Sequence, residues 1–278
     1  MKKILCPTDF SKTATNAVEV AAMVAHYLQA SLTLLHVIHL PLIDTTDTAL
    51  EANEVLENQK QHAIEKLTKM CQHLTQKHGQ GFCDYDFIVK ESLLVDAVKN
   101  MCRHEDFEMV VIGTTGGGNT LEEILIGSNT QAVIEGVKCP VLAVPAKTLV
   151  QPFRHMVFAS NYHPEDSEAI QQLLKLAAIF KAELEIVHVS QKESTDNQSK
   201  AYQFRENLRA QLPGINLNFQ EVIHPDEVEG LKGYLTTTQA DMLAILKKHK
   251  GFLSNLFSQS LSEQMTYQTK LPLLVYHA

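Results

Sequence analysis

The residues best suited to chemistry lie in Val110-Val111-Ile112-Gly113-Thr114-Thr115-Gly116-Gly117-Gly118 and, nine positions on, in Gly127-Ser128-Asn129-Thr130. An apolar run opens into glycines, a short amphipathic segment follows, and a second Gly-Ser step stands where a helix would start. Continuous apolar runs of this kind mark buried parallel strands. Glycine after such a strand lets the backbone approach a ligand closely, because no Cβ intrudes. Backbone N–H groups there, and at the N-terminus of the next helix, suit an anion, phosphate above all.

The elements that must position these residues come in two copies. The chain opens with Lys3-Ile4-Leu5-Cys6-Pro7-Thr8-Asp9-Phe10-Ser11 and restarts with His155-Met156-Val157-Phe158-Ala159-Ser160-Asn161-Tyr162-His163. Each is an apolar strand running into a small polar turn and a helix. Ser11 reads as an N-cap, followed at helical spacing by Ala14, Ala17, Val18, Ala21, Ala22, Ala25 and Leu28. The counterpart helix carries Ala169, Ile170, Leu173, Leu174, Leu176 and Ala177. A second strand holds His36-Val37 in one half and His188-Val189 in the other, the closest identity between them. A last strand, entered by Pro140 or Pro272, covers 141–144 and 273–276. Between these lie a long helix from about 48 to 78, a strand near 85–89 and a helix near 93–101. The stretch 191–200 is polar and reads as a mobile loop opening a helix. Each half thus reads as β-α-β-α-β-α-β-α-β, which predicts two tandem doubly wound, five-stranded parallel sheets. The predicted domains are 1–147 and 153–278, divided near Pro145, Lys147 and Pro152.

Composition narrows the function classes. The chain has 278 residues, 45% of them apolar, and a net charge of −8 without a Lys/Arg-rich run, which argues against a nucleic-acid partner. No apolar stretch nears the roughly 18 residues of a membrane span. The apolar run after Met1-Lys2-Lys3 stops almost at once, so it is not read as a signal peptide, and a cytoplasmic protein is expected. The five cysteines hold no C-x-x-C pair and the 13 histidines no ligand spacing, so neither a disulfide framework nor a metal site is expected.

Pro7-Thr8-Asp9-Phe10-Ser11 after strand one, His36-Val37 on strand two and the glycine-rich exit of strand four resemble the universal stress protein family, and two copies in one chain resemble its tandem members. The resemblance is strong over 1–146. Over 153–278 it rests on strand order. It implies an adenine nucleotide alpha hydrolase-like fold and ATP, or another adenine nucleotide, as ligand. In nucleotide-binding members the signature is Gly, two residues, Gly, nine residues, Gly, then Ser or Thr. Here Gly113 and Gly116 keep the first gap, but ten residues then precede Gly127; counting from Gly117 restores nine and lengthens the first gap to three. By the resemblance, Gly113, Gly116, Gly117, Gly127 and Ser128 meet the phosphates, and Asn129 and Thr130 add donors. Asp9 faces the nucleoside, Val37 packs on or hydrogen-bonds the adenine, and Thr8 and Ile112 complete the site.

The second half departs from this pattern. Asn161 stands for Asp9, and Lys247-Lys248-His249-Lys250-Gly251 replaces the glycine-rich loop. Ser258-Gln259-Ser260-Leu261-Ser262 takes the place of Gly127-Ser128. This half is therefore expected to be a structural or interaction partner, pairing with the first as a pseudo-dimer through strands 141–144 and 273–276, which would otherwise be apolar edges. Further homodimerisation is left open. No nucleophile elbow, catalytic carboxylate pair or G-x-x-x-x-G-K-[ST] loop occurs. The expectation is an ATP-binding stress-response protein acting by sensing or partner interaction. The alternatives are a slow ATP hydrolase, with Ser128 and Asp9 helping to hold Mg²⁺, and a protein-interaction scaffold without nucleotide.

Overall fold

The computed structural model describes residues 2–38, 49–79, 81–114, 127–247 and 271–278. The chain divides into two units at Gln151 and Pro152. The first holds β1 (Lys3–Pro7), α1 (Lys12–Leu28), β2 (Ser31–Ile38), α2 (Ala49–His78), β3 (Tyr85–Glu91), α3 (Leu94–His104), β4 (Met109–Gly113), α4 (Ser128–Gly136) and β5 (Val141–Val144). The second holds β6 (His155–Ala159), α5 (Asp166–Phe180), β7 (Glu183–Ser190), α6 (Thr195–Gln211), β8 (Asn218–Ile223), α7 (Glu227–Thr238), β9 (Met242–Lys247) and β10 (Leu273–His277).

Both units are the parallel α/β sheets that the alternation of elements predicts. The strand order is β3-β2-β1-β4-β5 in the first and β8-β7-β6-β9-β10 in the second, the same topology twice. Every described pairing within them is parallel. Right-handed crossovers then put α1 and α2 on one face of the first sheet and α3 and α4 on the other; α3 and α4 do pack together. The central strands are apolar throughout because both faces are covered: Ile4, Leu5, Val110 and Val111 have no exposed surface. Complete burial of each such side chain stabilises the fold by about 1.5–3 kcal/mol. β3 lies at the edge and is half-exposed, in keeping with its charged Asp86, Lys90 and Glu91.

Local signals set the helix limits. Ser11 caps α1 by accepting from the Ala14 N–H, as its position predicts, and Gln29 ends the helix in a left-handed conformation. One expectation changes. The polar stretch 191–200 is mostly helix, because Ser194 accepts from the Asn197 N–H and starts α6 at Thr195. The expected last helix of the second half and its basic and serine-rich stretches, 248–262, lie outside the described residues. Among the described residues, no helix is long and apolar enough to cross a membrane.

Candidate nucleotide site at the strand ends

In the first unit the chain leaves β1 toward β2 on one side and enters β4 on the other. The carboxyl ends of β1 and β4 therefore frame the topological switch point, where open α/β sheets hold ligands.

The turn after β1 is tied down bond by bond. The Thr8 N–H donates to the Leu35 carbonyl at 2.8 Å, extending the sheet by one residue. Thr8 is buried, and its Oγ1 accepts from the Phe10 N–H at 3.1 Å. Asp9 is exposed, and its Oδ1 accepts from the Ser11 N–H at 2.9 Å, an Asx turn leading into α1. Phe10 has φ 64°, a left-handed conformation that a bulky side chain seldom adopts. Its ring lies on the His36 imidazole at 4.5 Å between centroids, and the Lys66 ammonium stands 5.1 Å from its centre. His36 donates from Nδ1 to the Thr8 carbonyl at 2.8 Å, since a carbonyl can only accept; this fixes the proton on that nitrogen.

The other wall is the exit of β4. The Thr114 N–H donates to Val144 at 3.0 Å and the Gly127 N–H to Thr114 at 2.8 Å, so the chain returns beside β4 before α4 begins. Thr130 is buried, and its hydroxyl donates to the Gly113 carbonyl at 2.9 Å, pinning the first turn of α4 to the end of β4. Gly127 is the N-cap and supplies no side-chain bond, while Ser128 and Asn129 are exposed. The first N–H groups of a helix have no partner within it, so α4 presents donors and the positive end of its dipole at this edge.

Both glycines have packing reasons besides any ligand. A Cβ on Gly113 would stand 3.0 Å from the Thr13 methyl and 3.2 Å from its carbonyl, and one on Gly127 would stand 3.1 Å from the Thr114 carbonyl. Glycine at 113 lets α1 lie close on β4, and glycine at 127 lets the chain double back.

Of the residues singled out in the sequence, Gly113 and Thr130 are joined directly, and Gly127 bonds Thr114 beside them. Ser128 and Asn129 stand exposed at the start of α4, while Thr8 and Asp9 stand at the end of β1. Val37 is half-buried near the end of β2, paired with Lys90, and Ile112 lies buried in β4 against Ala143. The hydroxyls of Thr8 and Thr130 are engaged within the fold. Gly116 and Gly117, with Gly118, lie outside the described residues. His36 and Phe10 are the positioning residues that motif reading missed. The repeated His-Val pair was their signal, because in the second unit His188 likewise bonds the Ser160 carbonyl at 2.9 Å.

The universal stress protein family matches residues 1–145. Universal stress protein MJ0577 of Methanocaldococcus jannaschii is 30% identical over 156 residues, 52% of this chain and 96% of that protein. Universal stress protein MJ0531 of the same organism is 29% identical over 147 residues, 51% of this chain and 81% of that one. A universal stress protein from Archaeoglobus fulgidus DSM 4304, known from its crystal structure, has the same fold along both halves. Its TM-score is 0.72 at 17% identity, with 99% of this chain and 98% of that one covered. This chain belongs to the universal stress protein family.

Proposed function

We propose that the first domain, residues 1–147, binds one adenine nucleotide beyond the carboxyl ends of β1, β2 and β4, and that the protein acts by sensing that nucleotide or by changing partners with it. The observation that carries this reading is the start of α4. It begins on a glycine with no side-chain cap, with Ser128 and Asn129 exposed, beside the switch point of the sheet. Phosphates would lie against the N–H groups of Ser128 and Asn129, beside Gly127, whose own N–H is held by the Thr114 carbonyl. The nucleoside would lie toward Asp9 and Val37. Thr8, Ile112 and Thr130 would shape the site from within the fold, and Gly113 would keep β4 close to α1.

Mg²⁺ suits the oxygen chemistry of Ser128 and Asp9. Among the described residues no three His, Cys, Asp or Glu groups converge on one point, so a cation would be held largely through the phosphates. The second unit, 153–278, is proposed as a structural or interaction partner without nucleotide.

Mass spectrometry of the small molecule released on denaturation tests the proposal, with ATP, ADP or AMP expected. ATP with Mg²⁺ at a hundredfold over its Kd should stabilise the chain by about 2.7 kcal/mol. A chain that releases no nucleotide and gains no stability from any adenine nucleotide would sink the reading and leave the scaffold role.

A further inference from the structure

The first unit brings two thiols together away from the nucleotide site. Cys102 lies near the end of α3 and Cys139 in the bend between α4 and β5, with their sulfurs 3.7 Å apart. They are 37 positions apart in sequence, and the segment between them carries β4, α4 and both Gly113 and Gly127. Each cysteine is half-buried, which leaves a path for a small reagent.

The other three cysteines are placed differently. Cys6 is fully buried, and burial pushes its thiol up. Cys83 gives its S–H to the Ala30 carbonyl at 3.2 Å. Burial pushes the thiols of Cys71 and Cys83 up to about 11. Contact between Cys102 and Cys139 has the opposite effect on one partner: a proton held on Cys102 and shared toward Cys139 draws the Cys139 thiol below its ordinary range. A thiolate is the reactive form of cysteine.

We propose that Cys102 and Cys139 form a reversible dithiol–disulfide site oxidised by peroxides. The Cys139 thiolate attacks one oxygen of hydrogen peroxide, the O–O bond breaks, and a sulfenic acid and hydroxide result; the hydroxide takes up the proton that Cys139 lost on ionising and leaves as water. Cys102 then attacks the sulfenic sulfur. The S–S bond forms, the S–O bond breaks, and the departing hydroxide takes up the Cys102 proton as water. Two thiols give two electrons to the peroxide, and two waters leave. On bond formation the sulfurs would close from 3.7 Å to about 2.05 Å. The bond would staple α3 to the entry of β5 and close a loop around the segment that carries the nucleotide site. The proposal does not depend on nucleotide binding.

The test uses the full chain, reduced and then treated with near-stoichiometric hydrogen peroxide, alkylated with iodoacetamide and digested with trypsin. The expected product is a cross-link between the peptide ending at Arg103 and the peptide beginning at Cys139, removed by dithiothreitol. Oxidised chain should also melt at a higher temperature than reduced chain, because the closed loop restricts the unfolded state. In C102S the sulfenic acid has no partner, so a dimedone adduct should accumulate at Cys139. Oxidation to sulfinic acids without the cross-link, cross-linking through Cys71 or Cys83 at a similar rate, or no dimedone adduct in C102S would overturn the proposal.

Discussion

After β1, Thr8 donates to Leu35, Phe10 takes a left-handed conformation and packs its ring, tilted, against His36, and His36 bonds back to Thr8. After β6 the same set recurs with new side chains. Ser160 donates to Val187, Tyr162 has φ 57° and lies 4.4 Å from the His188 ring, and His188 bonds back to Ser160. The two turns differ in what surrounds them. In the second unit Asp166 is buried and accepts from the Ser160 hydroxyl at 2.7 Å. The Tyr162 hydroxyl donates to Glu221, which Arg205 also holds, and Phe204 packs against the Tyr162 ring. In the first unit Ala14 stands where Asp166 stands and Phe10 has no hydroxyl, while Asp9, like its counterpart Asn161, is exposed. One backbone device thus serves two strand ends, one sealed further by bonds from Ser160 to Asp166 and from Tyr162 to Glu221, the other with Ala14 and Phe10 in those places. Under the proposed function, the two halves would differ by how these strand ends are filled and not by their fold.

The largest expected effect comes from Gly127→Val. Its side chain would enter the space before α4 and press on the Thr114 carbonyl. The gain of about 2.7 kcal/mol from saturating ATP should vanish in thermal unfolding. A variant that keeps the full gain would place the phosphates elsewhere.

Next is Ser160→Ala, which removes a partner from buried Asp166 and should destabilise the protein by about 1–3 kcal/mol. Chemical denaturation measures this. The ATP gain should be unchanged, because the seal belongs to the second unit.

A paired test follows with His36→Ala and His188→Ala. Each loses one side chain–carbonyl bond, and each should cost about 1 kcal/mol of stability. Only His36→Ala should also weaken ATP binding in calorimetry. Equal effects of both on ATP would erase the distinction between the two turns.

The smallest effect concerns how the helices are tethered. Glu19 of α1 accepts from Lys77 at 2.9 Å and His78 at 3.1 Å on α2, whereas Gln171 of α5 meets Gln211 of α6 at 3.0 Å as a neutral pair. Burial works to raise the Glu19 carboxyl, but Lys77 and His78 outweigh it and hold the group below its ordinary value of 4.5. A carboxylate depressed on folding adds stability above its ordinary value and loses it as pH falls through the folded one. Unfolding followed through the acid range should therefore show a shallower loss of stability in Glu19→Gln than in wild type. Gln171→Glu should steepen the acid loss only if a cation stands near Gln211.

Much of the fold was legible because the signals were local. Apolar runs gave the strands, Ser11 gave the start of α1, and the repeat gave the topology twice over. The start of α6 inside a polar stretch was missed because a cap at Ser194 counts for more than the polarity around it. The candidate site could be read as residue types and spacing, but the bonds that support it could not. Thr130 was expected to add a donor at the start of α4; that its hydroxyl bonds the Gly113 carbonyl was not legible. Gly113 looked like space for phosphate and is equally space for Thr13. The bond from His36 to Thr8 depends on the register between β1 and β2, which nothing within either strand encodes.

The most direct test of the central claim is the ATP dissociation constant of Ser128→Asp. Residue 128 is exposed, so the change disturbs no packing, and a carboxylate in the first turn of α4 favours the helix itself. The account predicts at least tenfold weaker ATP binding, about 1.4 kcal/mol, with stability in the absence of nucleotide unchanged or slightly raised. Undiminished ATP binding in this variant would contradict a phosphate site at the start of α4.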